Sequence, residues 1–239
     1  ENHHKADLKY VKQVAKTFGQ HIDTYKVFVN KSTVPVGTWA ICAEIIQSEI
    51  EDRSETIDFD IASNPEFLRE WNAIWDFMKP DRVIIWVEND KTKQILEELY
   101  KPISDNGYKV ISTNIKSAEV IKYASNAFLA TKLSFINEIA NFAEVVGADI
   151  EDISKGMGSD TRIGNKFLSA GIGYGWSCFP KHIEALLQTG KEHWIDFKIL
   201  SDTQVVNERQ KLVVIDKLAK HIDISWKTIA IWWLSYKPD

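Results

Sequence analysis

Between Ala6 and about His21 apolar residues recur at helical spacing, at Leu8, Val11, Val14 and Ala15, and the pattern predicts a helix. It gives way at "YKVFVNKST" to a β-branched run that predicts a strand. The step then repeats. "GTWAICAEIIQSEI" and "TKQILEELYKPI" read as helices, and "DFDIAS", "RVIIWV" and "YKVIST" as strands. Strands alternating with helices predict a parallel α/β sheet, in which ligands gather at the carboxyl ends of the strands. The first half of the chain thus reads as part of a nucleotide-binding sheet.

From Ser117 the period becomes helical alone. "SAEVIKYASNAFLATKLSFINEIANFAEVVG" has no internal Gly or Pro and closes on Gly147, a residue suited to a C-cap. Shorter helices are predicted at "DIEDISKGM", "PKHIEALLQTG" and Phe197 to His221, with a glycine-rich loop between the first two. "KTIAIWWLSY" then predicts one more strand, which stops at "KPD".

Composition narrows the class. A chain of 239 residues, 44% hydrophobic and 26% charged, can bury a substantial core. The net charge of −5 and the dispersed basic residues give no footprint for nucleic acid. Cys42 and Cys178 are the only cysteines and form no disulfide framework, which fits a reducing, cytoplasmic setting. No apolar run approaches the roughly 20 residues of a membrane helix, and "ENHHKADLKY" lacks the regions of a signal peptide, so a soluble protein with no membrane partner is expected.

Three stretches carry candidate chemistry. "NKSTVPVGT" and "SNPEFLREW" each follow a predicted strand, where a parallel sheet places its ligand-facing loops. The first offers hydroxyls and amides ahead of a helix whose N-terminus can face an anion, although a Ser or Thr there is commonly only a cap. The second spaces Glu66 and Glu70 so that a helical turn would put both on one face, which is also the pattern of a solvated surface. The third, "GIGYGWSCFPKH", sets Cys178 behind glycines that let backbone approach a ligand closely, and makes it the first candidate nucleophile. In the long helix Lys122 and Asn126 stand at i and i+4, able to donate to an oxyanion, against the plainer reading of a surface lysine.

Taken together, "NKSTVPVGT", "NPEFLREWNAIWDFMKPDRVIIW", "EVIKYASNAFLATKLSFINEIA", "SDTRIGNKFLSAGIGYGWSCFPKH" and "KTIAIWWLSYKPD" stand in the order and at the spacing of the UDP-glucose/GDP-mannose dehydrogenase family, which the chain resembles along nearly its whole length. The resemblance implies the C-terminal part of a Rossmann-like parallel sheet at 1–115, an all-helical central dimerisation domain at 116–222, and at 223–239 the first strand of a further α/β domain that binds the UDP-sugar. It implies oxidation of a sugar-nucleotide alcohol to the acid in two hydride transfers to NAD, through a thiohemiacetal and a thioester on one cysteine, matched by Cys178. Lys122 and Asn126 would hold the substrate oxygen, Glu66 would act through water as acid or base, and Thr33 would help order that water. Phe67, Leu68, Arg69, Glu70 and the run Ser169, Ala170, Gly171, Ile172, Gly173, Tyr174 and Gly175 would line the substrate. Arg162 would reach it across a homodimer contact built on the central helices. Ser32, Thr33, Val34, Glu70 and Lys181 would touch the cofactor.

The chain departs from the family pattern in ways that bear on activity. The family's opening strand and GxGxxG turn, and most of its C-terminal domain, have no counterpart here, so the chain as written is expected to be inactive. Gly175-Trp176-Ser177-Cys178 replaces Gly-Gly-Ser-Cys, and Pro180-Lys181-His182 replaces Pro-Lys-Asp. Trp71, Trp86 and Trp233 also stand where the family has glycine. The aspartate replaced by His182 helps the family activate its hydrolytic water, and histidine could serve as a base near neutral pH. The expected substrate is UDP-glucose. GDP-mannose is the alternative within the family, and a non-catalytic dimerisation fragment the alternative outside it.

Overall fold

The first helix, α1 (Lys9–His21), shows how the pattern becomes packing. Val11, Ala15, Phe18 and Ile22 form its inward stripe, while Val14 is exposed. It lies against α2 (Thr38–Asp52). Gly19 permits that approach, because a Cβ there would stand 2.8 Å from Glu49 Cβ and 2.9 Å from the Ile46 carbonyl oxygen. The computed structural model describes residues 7–35, 37–69, 72–175 and 178–230; the side chains of Ile115 and Cys178 lie outside the described set.

Contacts divide the chain into two compact units, residues 1–129 with 176–197 and residues 130–175 with 198–239. The first holds a sheet of β1 (Lys26–Asn30), β2 (Phe59–Ser63), β3 (Arg82–Val87) and β4 (Lys109–Thr113), in that order. Alternation along the strands sends Phe28, Ile61, Ile84 and Trp86 into one cluster with α1 and α2. Ala62, Val83 and Ile85 enter a second cluster with Leu96, Tyr100 and Ile103. Helices therefore cover both faces, as the expected α/β architecture requires. Trp86 is accommodated in the first cluster, where its ring meets that of Trp39 at 5.6 Å.

The sheet is not wholly parallel. β1 pairs with β2 and β3 with β4 in parallel, but β2 and β3 run antiparallel through Ala62↔Val87 and Ser63↔Trp86. The short α3 (Ala73–Met78) between them is no crossover helix of the length a parallel return needs. The loops after β1 and β2 consequently share one edge, and those after β3 and β4 leave in the opposite direction. The helix expected over "TKQILEELYKPI" is two, α4 (Asp90–Leu99) and α5 (Lys101–Asp105), divided at Tyr100 with Pro102 in the first turn of the second. Of the strand expected from Lys227, the described residues 227–230 form none, and the remainder, with Trp233, lies outside the described residues.

α6 (Ile115–Val146) spans the division between the units and ends at Gly147, whose φ of +73° is the left-handed cap expected there. Its first turns place Ala118 in the first cluster. Also in the first unit is α8 (Cys178–Glu192), while α7 (Ile150–Gly158) and α9 (Lys198–Ala219) belong to the second. In the second unit α9 meets α6 along a polar seam. Ser134 Oγ donates to the Thr203 carbonyl at 2.8 Å, and Asn141 Nδ2 to Gln210 Oε1 at 2.8 Å.

Candidate active site

In the first unit the residue that fixes the loop after β2 is Asn64. Its amide donates to the Asn30 carbonyl at 2.9 Å and its Nδ2 to the Ile84 carbonyl at 2.8 Å, tying the loop to both neighbouring strands. Its Oδ1 accepts from Lys31 Nζ at 2.6 Å and from the Tyr100 hydroxyl. Asn64 is 2% exposed, so every polar atom of its carboxamide needs a partner and has one. Glu66 leaves this anchor in a turn rather than a helix, because its own Oε2 accepts from the Leu68 amide at 2.6 Å. The helical turn that would have aligned Glu66 with Glu70 is absent, and Glu70 and Trp71 lie outside the described residues. Arg69 turns onto α3, where Nε and Nη2 donate to Asp76 at 2.9 and 2.6 Å. That fork holds the Asp76 carboxyl at about 2.

α6 presents Glu119, Lys122, Tyr123 and Asn126 at i, i+3, i+4 and i+7, along one stripe. Lys122 is no surface lysine. It is 6% exposed, and its ammonium donates to the Glu66 carbonyl and meets Glu66 Oε1 at 3.3 Å. The same ammonium stands 5.0 Å from the Phe67 ring centre, and the Arg82 guanidinium 3.8 Å from it. Two cations thus lie within cation–π range of the Phe67 ring.

Asn126 pairs with His182 of α8, Nδ2 to Nδ1 at 2.7 Å, and the imidazole packs edge-on against Tyr123 at 5.1 Å. The amide donates, so Nδ1 is unprotonated and the ring is neutral. Burial, then the charge of Lys122, lowers the His182 pKa to about 4 against the pull of Glu66, with Lys181 adding the smallest effect. The expectation of a base poised near neutral pH is corrected accordingly: His182 is a neutral acceptor that orients Asn126. Lys181 is exposed.

Cys178, expected in the loop, is the first residue of α8, a position where helix amides stabilise a thiolate. Its side chain, with Trp176 and Ser177, lies outside the described residues. After β1, Ser32 is exposed and Thr33 half-buried, while Val34 is 5% exposed. α2 starts from Gly37, held at φ +92°. Among the described residues no three metal-binding side chains cluster.

In the second unit the glycine loop is clasped by two helices. Asn137 Oδ1 accepts from the Gly171 amide at 2.8 Å and Gln210 Nε2 donates to the Gly171 carbonyl at 2.7 Å. Asn207 bonds Tyr174 in both directions, accepting from its amide at 2.7 Å and donating to its carbonyl at 2.9 Å. Gly173 is required beside it, since a Cβ would stand 2.8 Å from Asn207 Oδ1 and φ is +95°. Ser169, Gly171 and Ile172 are exposed, Ala170, Gly173 and Gly175 half-buried, and the Tyr174 ring is buried. Arg162 is exposed and forks onto Asp160, with Nη2 to Oδ2 at 2.5 Å.

Several members of these arrangements escaped sequence reading. Lys31 and Asn64 stand inside the stretches singled out, but the contacts that give them their roles, with each other, Ile84 and Tyr100, lie far away in sequence; Asp76, an acid seven residues after Arg69, left a local signal. Asn207 and Gln210, one helical turn apart, gave no signal at all.

With these arrangements in view, residues 1–104 match the model of the UDP-glucose/GDP-mannose dehydrogenase family's NAD binding domain and residues 116–209 that of its central domain. The chain belongs to this family. The UDP-glucose 6-dehydrogenase TuaD of Bacillus subtilis is 49% identical over 236 residues, which is 98% of this chain and 50% of that protein. The structure of a UDP-glucose dehydrogenase from the hyperthermophilic archaeon Pyrobaculum islandicum superposes with a TM-score of 0.85 at 35% identity, covering 92% of this chain and 50% of that one. For a GDP-mannose dehydrogenase from Pseudomonas aeruginosa the TM-score is 0.60 at 29% identity, over 92% of this chain and 51% of that one. The chain thus spans about half the length of the relatives it matches.

Proposed function

We propose that the protein oxidises the primary alcohol of UDP-glucose to the carboxylate, with NAD as hydride acceptor and Cys178 as covalent nucleophile. The observation that carries the reading is the buried Lys122 ammonium, seated on Glu66 one helical turn from an Asn126 held by His182, in the same unit as a helix that starts at Cys178. When bound, NAD would supply the hydride acceptor for each of the two oxidations, a second NAD replacing the NADH formed in the first. Cys178 adds to the aldehyde left by the first, giving a thiohemiacetal whose oxyanion Lys122 and Asn126 receive as donors. Loss of the second hydride leaves a thioester. Glu66, with Thr33, directs the water that releases the acid and returns the thiol.

The Ser32, Thr33 and Val34 backbone and hydroxyls at the carboxyl end of β1 fit a dinucleotide, and with Glu70 and Lys181 they form its proposed contacts. Phe67 to Glu70 in the first unit, and separately Arg162 and Ser169 to Gly175 in the second, are the proposed contacts of the sugar nucleotide. Residues 1–115 serve as the dinucleotide part, 116–222 as the central part and 223–239 as the opening of the UDP-sugar domain. The protein pairs as a homodimer through α6, on which Phe128, Phe135 and Phe142 recur every seven residues at 65%, 47% and 62% exposure. A free thiolate suits the reducing cytoplasm. UDP-glucose is preferred to GDP-mannose because the UDP-glucose dehydrogenase of known structure is the better match in both fold and sequence.

Because the chain as written is expected to be inactive, the test joins to it the family's opening strand and GxGxxG segment, incubates the product with NAD and either sugar nucleotide, quenches with acid, and maps the peptides. A sugar-nucleotide adduct on Cys178 with UDP-glucose is expected. An adduct with GDP-mannose alone would move the assignment within the family, and modification confined to Cys42 would overturn the mechanism.

A further inference from the structure

Glu119 is the one acidic residue of the α6 stripe that the proposed reaction does not use. It is 4% exposed, and its Oε2 accepts from the Gly37 amide at 3.0 Å. Its Oε1 is buried with no hydrogen-bond partner among the described residues. Gly37 is the residue from which α2 starts, directly after the loop that carries Ser32, Thr33 and Val34. A single carboxyl therefore joins the loop after β1 to the helix that carries Lys122 and Asn126.

We propose that Glu119 is a positioning residue, clamping the start of α2 and the Ser32–Pro35 loop against the Lys122–Asn126 stripe, and that the clamp tightens when its carboxyl gives up a proton. Two opposing effects make this carboxyl responsive. The helix start and the Gly37 N–H favour the anion. Burial disfavours it and prevails, placing the group at about 7. The neutral acid is a poorer acceptor for the Gly37 amide, and the anion a charge-assisted one.

The groups around it do not obscure the switch. From α2 it meets the Gly37 amide, and the first turn of that helix holds no acidic residue. On its own helix Tyr123 is pushed up to about 12 and stays neutral, and Lys122 directs its ammonium to Glu66. His182 of α8, against Tyr123, is neutral down to about 4. The inference takes its meaning for the cofactor from the dehydrogenase reading, but the clamp itself does not depend on catalysis.

The experiment is amide NMR of the whole chain labelled at valine carbonyls and glycine nitrogens, which selects the two Val–Gly bonds, Val36–Gly37 and Val146–Gly147. Between pH 5.5 and 8.5 the Gly37 amide proton should move downfield along a one-site curve while Gly147 stays still. In uniformly labelled protein the Ser32 and Thr33 amides should follow the same curve. Glu119→Gln should abolish all three shifts. A Gly37 amide that does not titrate, or one that titrates unchanged in Glu119→Gln, overturns the proposal, and the wild-type titration alone decides the first point. Failure of the Cys178 adduct with an intact Gly37 titration would remove the dehydrogenase reading and leave the clamp.

Discussion

Replacing Glu119 by Gln should unmask an acid sensitivity that the wild-type protein hides. Two buried groups in the first unit titrate abnormally in opposite senses. Burial raises Glu119 from 4.5 to about 7, so the stability linked to it is fully present below pH 4.5 and is lost as pH rises through 7. His182 is lowered from 6.5 to about 4, so its contribution is present above pH 6.5 and is lost as pH falls through 4. Each shift of about 2.5 pH units corresponds to roughly 3 kcal/mol at about 1.4 kcal/mol per unit. Between pH 4.5 and 6.5 the slopes cancel, and the wild type should be nearly flat. The Arg69-paired Asp76 carboxyl, held at about 2, titrates below this window.

Urea unfolding at half-unit steps from pH 4.5 to 8 measures the effect. Glu119→Gln should lose about 2 to 3 kcal/mol between pH 6.5 and 4.5, and at pH 8 should be more stable than the wild type by up to about 3 kcal/mol. His182→Gln should do the reverse, gaining stability as pH falls from 7, and the double variant should be flat again. Parallel profiles for Glu119→Gln and the wild type would refute the reasoning, because they would mean that the carboxyl is already charged throughout the range.

Gly19→Ala should destabilise the fold by about 1 to 3 kcal/mol in chemical denaturation, since the added Cβ meets backbone at Ile46 and cannot be relieved by a side-chain rotation. Asp76→Asn should cost about 1 kcal/mol in chemical denaturation, as befits a fork onto an arginine that is half exposed. A thiol reagent applied to the folded protein should modify Cys178 before Cys42, which is 1% exposed and whose thiol burial pushes up, as peptide mapping would show.

What the sequence disclosed, and what it withheld, follows from the range of the forces involved. α6 was legible because an unbroken helical period and a closing Gly147 are local signals. The direction of β3 was not, because a two-residue period is the same whether a strand pairs parallel or antiparallel. Lys122 and Asn126 were legible as neighbours on a helix, but their burial was not, since each partner lies 56 residues away. The turn at Glu66 looked helical by spacing and was diverted by a single bond from the Leu68 amide to the glutamate's own carboxylate. The division after Tyr100 was written in Pro102 and was overridden by the apolar run on either side.

The charge balance around Lys122 gives the exchange at position 182 a wider meaning than the loss of a base. The buried ammonium faces one carboxylate, Glu66, and a histidine that is neutral at working pH. An aspartate at this position, as in the family pattern, would add a second negative charge on the other side of the same ammonium. With histidine there, Glu66 is the counter-ion that Lys122 meets among the described residues. His182→Asp should therefore act twice: it supplies an anion beside Asn126, and it releases Glu66 from part of its hold on Lys122. If only the first effect operates, hydrolysis of the proposed Cys178 thioester should accelerate on His182→Asp by the same factor whether Glu or Gln stands at position 66. If the second contributes, the acceleration on His182→Asp should be smaller when Glu66→Gln is also present, the difference between the two factors being the coupling through Lys122.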